Sequence, residues 1–148
     1  MPDKGPSISF HYLLPVQSLK DRTRLKSFIA KTSKRNGRLV NELRVIFCSD
    51  NYLLDINRKF LGHDHYTDII TFDLSDPTGT LDAEMYISVD RVRDNAQQLG
   101  TSFKLEIHRV VFHGVLHLLG YKDKTRKDEK VIRQAEDELL SAYFKRST

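Results

Sequence analysis

His113 and His117 stand four residues apart, Gly120 follows three later, and Asp123 three after that. Imidazole nitrogens on successive helical turns can converge on one ion, each at about 2.0–2.1 Å from a zinc. A glycine just past Leu119 can take the left-handed conformation that ends a helix and turns the chain. That turn gives Asp123 a route back beneath the two histidines as a third ligand. Three protein ligands and an open position mark a catalytic site, since structural zinc is usually closed by four. The competing role for Asp123 is to cap the next helix or pair with Lys124. We read it as the ligand, because the histidine pair and the glycine turn already have ligand geometry. The same spacing occurs in zinc proteases that read HExxHxxGxxH or HExxHxxGxxD, but here residue 114 is glycine. The glutamate that would serve as their general base is missing, which argues against a peptidase of that mechanism.

These residues need a helix to position them. Residues 102–119 include Phe103, Leu105, Ile107, Val110, Val111, Phe112, Val115 and Leu116, too apolar a set for a surface helix. At about 100° per residue, His113 and His117 lie about 40° apart on one face. Glu106 and Arg109 fall in that polar sector, whereas His108 points away and reads as a structural histidine. Further helices are expected from Ser18 to about Lys34, from Ser49 or Asp50 to near Gly62, from Asp90 to about Leu99, and from about Thr125 to Phe144. Strands are expected at Ser7–Leu13, Asn41–Cys48, Thr67–Leu74 and Leu81–Val89. The last two, joined by Asp76-Pro77-Thr78-Gly79, should pair antiparallel; strands separated by helices can run parallel. The expected fold is α+β: a single domain with about four strands in a mixed sheet, about five helices, and a metal site at the end of a central buried helix.

The 148 residues are 39% hydrophobic and 30% charged, as in an ordinary folded domain rather than a disordered chain. No apolar run approaches the ~20 residues that cross a bilayer. The N-terminus lacks the basic start and long apolar block of a signal peptide. The expectation is a cytoplasmic protein without membrane association. The one cysteine, Cys48, follows Val45-Ile46-Phe47 and should be a buried strand residue. A net charge of +4 permits nucleic acid without demanding it. More telling is a basic cluster that begins inside the histidine motif: Lys122, Lys124, Arg126, Lys127, Lys130 and Arg133. A polyanionic substrate needs both cations and a metal nearby.

The run HGVLHLLGYKD resembles the HGxLHLxGYDH hallmark of the YbeY family of bacterial endoribonucleases. Upstream, Asn57, Phe60, Gly62, Asp64 and Thr67-Asp68-Ile69-Ile70-Thr71-Phe72 are similar to that family's strand-entry motif, and Glu84-Met85-Tyr86-Ile87-Ser88 to its next strand. The resemblance implies that residues 1–148 form one metal-dependent endoribonuclease domain. It implies cleavage of single-stranded RNA in ribosomal RNA maturation, near the 3′ end of the 16S species, and a role in ribosome quality control. Its partners would be ribosomal RNA precursors and the small ribosomal subunit.

His113 and His117 carry over as ligands of a zinc ion. The family's third histidine aligns with Asp123 and its aspartate with Lys122; Leu61 replaces a common arginine, and Tyr66 a common proline. Aspartate oxygen binds zinc at a similar distance, and its added charge shifts preference toward harder ions such as Mn²⁺ or Mg²⁺. Thr67 and Asp68 are candidate catalytic residues. Arg58, Lys59, Lys122, Lys124, Arg126 and Lys127 are candidates for the RNA backbone. The attacking group is left open between a metal-activated water and the RNA 2′-hydroxyl. The alternative function is a ribosome-assembly or RNA-binding factor whose metal is structural and whose catalysis is weak or absent, a reading that the missing arginine favours.

Overall fold

The computed structural model describes residues 5–16, 19–77 and 79–145. Its elements follow the expected order. Strand β1 (Ser7–Tyr12) leads to helix α1 (Arg22–Arg35), strand β2 (Val40–Cys48) and helix α2 (Asp50–Ile56), which continues as a π turn over Asn57–Leu61. Strands β3 (Ile69–Asp73) and β4 (Leu81–Ser88) come next, then helices α3 (Val89–Leu99), α4 (Phe103–Leu118) and α5 (Arg126–Phe144). The sheet order is β1-β2-β4-β3. β1 and β2 are parallel, β2 and β4 are parallel, and only β3 runs antiparallel, against β4. The mixed α+β sheet is therefore as expected, with the hairpin pair on one side of it.

Alternation along β4 gives the sheet one fully buried face and one that is only partly covered. Leu81, Ala83, Met85 and Ile87 are buried in the main core, together with Leu43, Val45 and Phe47 of β2. Burying a side chain of this size stabilises by about 1.5–3 kcal/mol. Ile107, Val110, Val111, Phe112 and Val115 of α4 join the same core, so this helix does run through the middle of the domain. On the other face Leu53 and Ile56 of α2 meet Cys48 and Ile70, with Phe72 and Tyr86 at the margin. Cys48 is fully buried, and burial pushes its thiol up to about 12, so it is an inert core residue.

Three helices begin close to where the sequence places their starts. Ser49, Ser102 and Thr125 each accept a backbone N–H through the side chain, from Tyr52, Leu105 and Asp128. Helix α1 instead starts at Arg22 behind Asp21; the expected cap Ser18 lies outside the described residues, as does Thr78 of the β3–β4 turn. No helix among the described residues is long and apolar enough to cross a membrane.

Candidate metal centre

Helix α4 brings its two histidines to the surface at its C-terminal end. The rings of His113 and His117 lie 4.7 Å apart between centroids and are nearly perpendicular. The helix sits hard against the sheet because residue 114 has no side chain. A Cβ there would lie 2.5 Å from the sulfur of Met85 and 2.6 Å from Cδ1 of Ile69. The position that carries the protease base in the similar motif thus takes even a methyl group only if Met85 and Ile69 shift.

The chain then turns as the glycine predicts. Gly120 has φ 105°, its N–H donates to the His117 carbonyl (3.0 Å), and the N–H of Tyr121 donates to the Leu116 carbonyl (3.0 Å). Arg38 holds the same helix end from the sheet side, donating to the Leu118 carbonyl (2.7 Å) and to Asp73 on β3 (3.1 Å). The turn delivers Asp123 to the histidines. His117 Nε2 donates to Asp123 Oδ2 at 3.0 Å, and His113 Nε2 lies 3.5 Å from the same oxygen. Capping of α5 falls to Thr125, and among the described residues no ion pair joins Asp123 to Lys124.

Ligand atoms of His113, His117 and Asp123 all lie within 4.8 Å of one another, so the group can hold a metal ion. Two imidazole nitrogens and one carboxylate oxygen match the donor set of a three-ligand divalent site. A fourth residue, not anticipated from sequence, prepares it. Glu136 of α5 is only 4% exposed, and its Oε2 accepts from His113 Nδ1 at 2.6 Å. A carboxylate can only accept, so Nδ1 carries the proton and Nε2 is left as the free donor toward the ion. Glu136 is in turn held by Arg109 Nη1 (3.3 Å), which also donates to Asp137 (2.8 Å), while Arg109 Nε lies 3.7 Å from Glu106. Glu106, Arg109 and His113 of the polar stripe are thus one side of an ion network whose other side is α5, and His117 pairs with Asp123 in the turn before it. The signal for Glu136 in the sequence is only a glutamate on the inner face of α5, 23 residues from its histidine.

Charges in the site are mutually tuned. Burial of the His113 ring opposes its charge, but the hydrogen bond and charge of Glu136, with Asp68 and Asp123, outweigh it and raise its pKa. Partial burial of Asp123 opposes its ionisation, yet the two histidines win and lower its pKa. Asp68 is shifted up, chiefly by burial, against the pull of His113. By contrast His108 sits among Tyr143 and Phe144 with Nδ1 donating to the Lys104 carbonyl (2.7 Å); burial depresses its pKa, as befits a structural histidine.

Thr67, Asp68, Ile69 and Thr71 complete a recess of about 150 Å³ around the three ligand residues. The two candidate catalytic residues are therefore at the site. They stand just ahead of β3 rather than in it, with the Asp68 carbonyl still accepting from Ser88 (2.9 Å). The basic candidates divide. Arg58 is paired with Asp64 and Lys59 with Asp55, on the exposed π turn. Lys122 and Lys127 line a recess under the motif's turn, and Arg126 lines one along α5. Lys122, Lys124, Arg126 and Lys127 have no ion pair among the described residues.

Known proteins resemble this chain over most of its length. The family model described as Endoribonuclease YbeY matches residues 15–144. A Cytophaga hutchinsonii protein named Endoribonuclease YbeY is 49% identical over 123 residues, 83% of this chain and 86% of that protein. One of the same name from Flavobacterium psychrophilum is 40% identical over 136 residues, 92% of this chain and 96% of its own. Among solved structures, that of TM1509 from Thermotoga maritima superposes with a TM-score of 0.63 at 27% identity, covering 92% of this chain and 89% of that one.

Proposed function

The chain belongs to the YbeY family of endoribonucleases, and from that premise we propose that it cuts single-stranded ribosomal RNA precursors at the His113, His117 and Asp123 centre. In this reading residues 1–148 act as one domain, and the cut matures the 3′ end of 16S RNA on or near the small ribosomal subunit. The observation that carries it is the three-residue ligand group opening onto a recess that also holds Thr67 and Asp68. A divalent ion held there supplies Lewis acidity toward a phosphoryl oxygen of the substrate.

The protein's own residues do the remainder. Glu136 fixes the His113 ring so that Nε2 faces the ion. Asp123 adds a negative charge that a histidine would not, which tempers the ion's pull on electrons and widens the choice from Zn²⁺ to Mn²⁺ or Mg²⁺. Asp68, with a pKa raised mainly by burial, sits where a carboxylate can take the proton of the attacking hydroxyl, and the Thr67 hydroxyl can orient that group. Lys122, Lys124, Arg126 and Lys127 neutralise the backbone phosphates. A purely structural metal would call for a closed, four-ligand site, and the described residues bring together three ligands. The test is cleavage of a single-stranded RNA carrying the 16S 3′ region. Chelation and His113→Ala should each abolish it; cleavage indifferent to both would refute the proposal.

A further inference from the structure

Beside the ligand group, α3, α4 and α5 enclose a second recess of about 280 Å³. It shares Asp68 and His113 with the recess of the metal ligands, so whatever occupies it lies next to the reacting bond. Its floor is already committed: Glu136 is held by His113 and Arg109, and Arg109 by Glu136 and Asp137. Its mouth is less so. The Asp68 carboxylate accepts from the backbone N–H groups of Asp68 and Ile69 and, at a long 3.5 Å, from Asn95 Nδ2. Gln98 is exposed, and its side chain makes no hydrogen bond among the described residues. The Arg133 side chain is 54% exposed, and its one ion pair among the described residues is with Glu136, at 3.7 Å.

Two carboxamides, a carboxylate and a guanidinium at one mouth are the complement of a nucleobase. Carboxamides pair with adenine at N6 and N7, carboxylates accept from an exocyclic amine, and guanidinium planes stack on unstacked bases. The volume falls just below the ~300 Å³ at which small-ligand pockets begin, which suits one base. A third recess continues the line. Arg126, Lys130 and Arg133 recur at i, i+4 and i+7 on one face of α5 and border about 480 Å³ that joins the second recess at Arg133 and Glu136. A row of three linked recesses, one with ligand atoms, one with base-reading groups and one with cations, fits a polymer strand rather than a single small molecule.

We propose that the recess at Asp68, Asn95 and Gln98 is a nucleobase subsite, holding the unstacked base against the Arg133 guanidinium beside the scissile phosphate while Lys130 and Arg126 hold the phosphates that follow. The subsite favours adenine, accepts cytosine and guanine through their amines, and disfavours uracil, which has none. It rests on the endoribonuclease reading. The experiment uses metal-loaded protein and single-stranded RNAs with A, C, G or U at each position flanking the main cut. Wild type should prefer A over U at one of them, and the Asn95→Ala, Gln98→Ala double variant should reduce that preference by about 5- to 100-fold. The single change Gln98→Ala, at an exposed position, should reduce it in the same direction with an unaltered melting temperature. Lys130→Gln should weaken binding equally for all four bases and lower the salt slope by about 1. Cleavage without base preference in wild type, or a preference kept by the double variant, overturns the subsite while leaving the nuclease intact. No metal-dependent cleavage by wild type at all overturns the nuclease, and the subsite with it.

Discussion

At the ring of His113 one hydrogen bond decides which nitrogen an ion can use. Glu136 both orients the ring and raises its affinity for a proton, and these two effects act oppositely on metal binding. Protonated His113 cannot ligate, and its folded-state pKa lies above the ordinary ~6.5. Metal affinity should therefore begin to fall, as pH is lowered, while the solution is still above ~6.5. Glu136→Gln keeps an acceptor for Nδ1 but removes the charge. Calorimetric titration across pH should show the variant binding about 10- to 100-fold more weakly at alkaline pH, with its acid-side loss displaced to lower pH. Superimposable curves would mean that Glu136 does not support the ligand. The stability linkage has the matching sign. Without metal, the stabilisation from protonated His113 is fully present below ~6.5 and disappears as pH rises through its raised pKa. That from ionised Asp123 is present above ~3.9 and disappears as pH falls through its lowered one.

Among the elements, α4 is the one whose position matters most, and Gly114 sets its distance from the sheet. Gly114→Ala gains about 1 kcal/mol of helix propensity but drives a methyl into Met85, which is fully buried, and Ile69. Overpacking of this kind costs about 1–3 kcal/mol, so the expected outcome is a lower melting temperature together with weaker metal binding. An unchanged or higher melting temperature would show that Met85 and Ile69 yield easily. The helices themselves were largely legible, because Ser49, Ser102 and Thr125 carry the hydroxyls that cap them and because the apolar density of residues 102–119 marks a core helix. The π turn at Asn57–Leu61 was not, since one widened turn scarcely disturbs a helical pattern. Nor was the late start of β3 at Ile69: Thr67 and Asp68 suit a strand by residue type, yet they leave the ladder to line the site.

For the whole molecule, the histidines, the glycine turn and the aspartate were legible because they are neighbours in sequence as well as in space. Glu136, Asn95 and Gln98 were not, because only the packing of α3 and α5 on α4 brings them to that end of the helix. Nor does sequence distinguish paired from unpaired cations; the basic run at Arg58-Lys59 and the one after Tyr121 look alike until Asp55 and Asp64 are seen beside the first. A metal held by His113, His117 and Asp123 would be coupled to global stability, because those residues span a helix and a turn and are supported by a second helix. Adding Zn²⁺ at about 100 times its Kd should stabilise the protein by ~2.7 kcal/mol, with Mn²⁺ and Mg²⁺ ranked by their own affinities. A melting temperature indifferent to all three ions would remove the metal centre.

The reach of Glu136 across to His113 also has a consequence in time. Synthesis runs from N- to C-terminus, so both histidines leave the ribosome before the carboxylate that selects the tautomer of one of them. Until α5 has emerged and docked, the nascent chain holds a poorer grip on any ion. The support for His113 is therefore completed only by α5, the last of the described elements to be made.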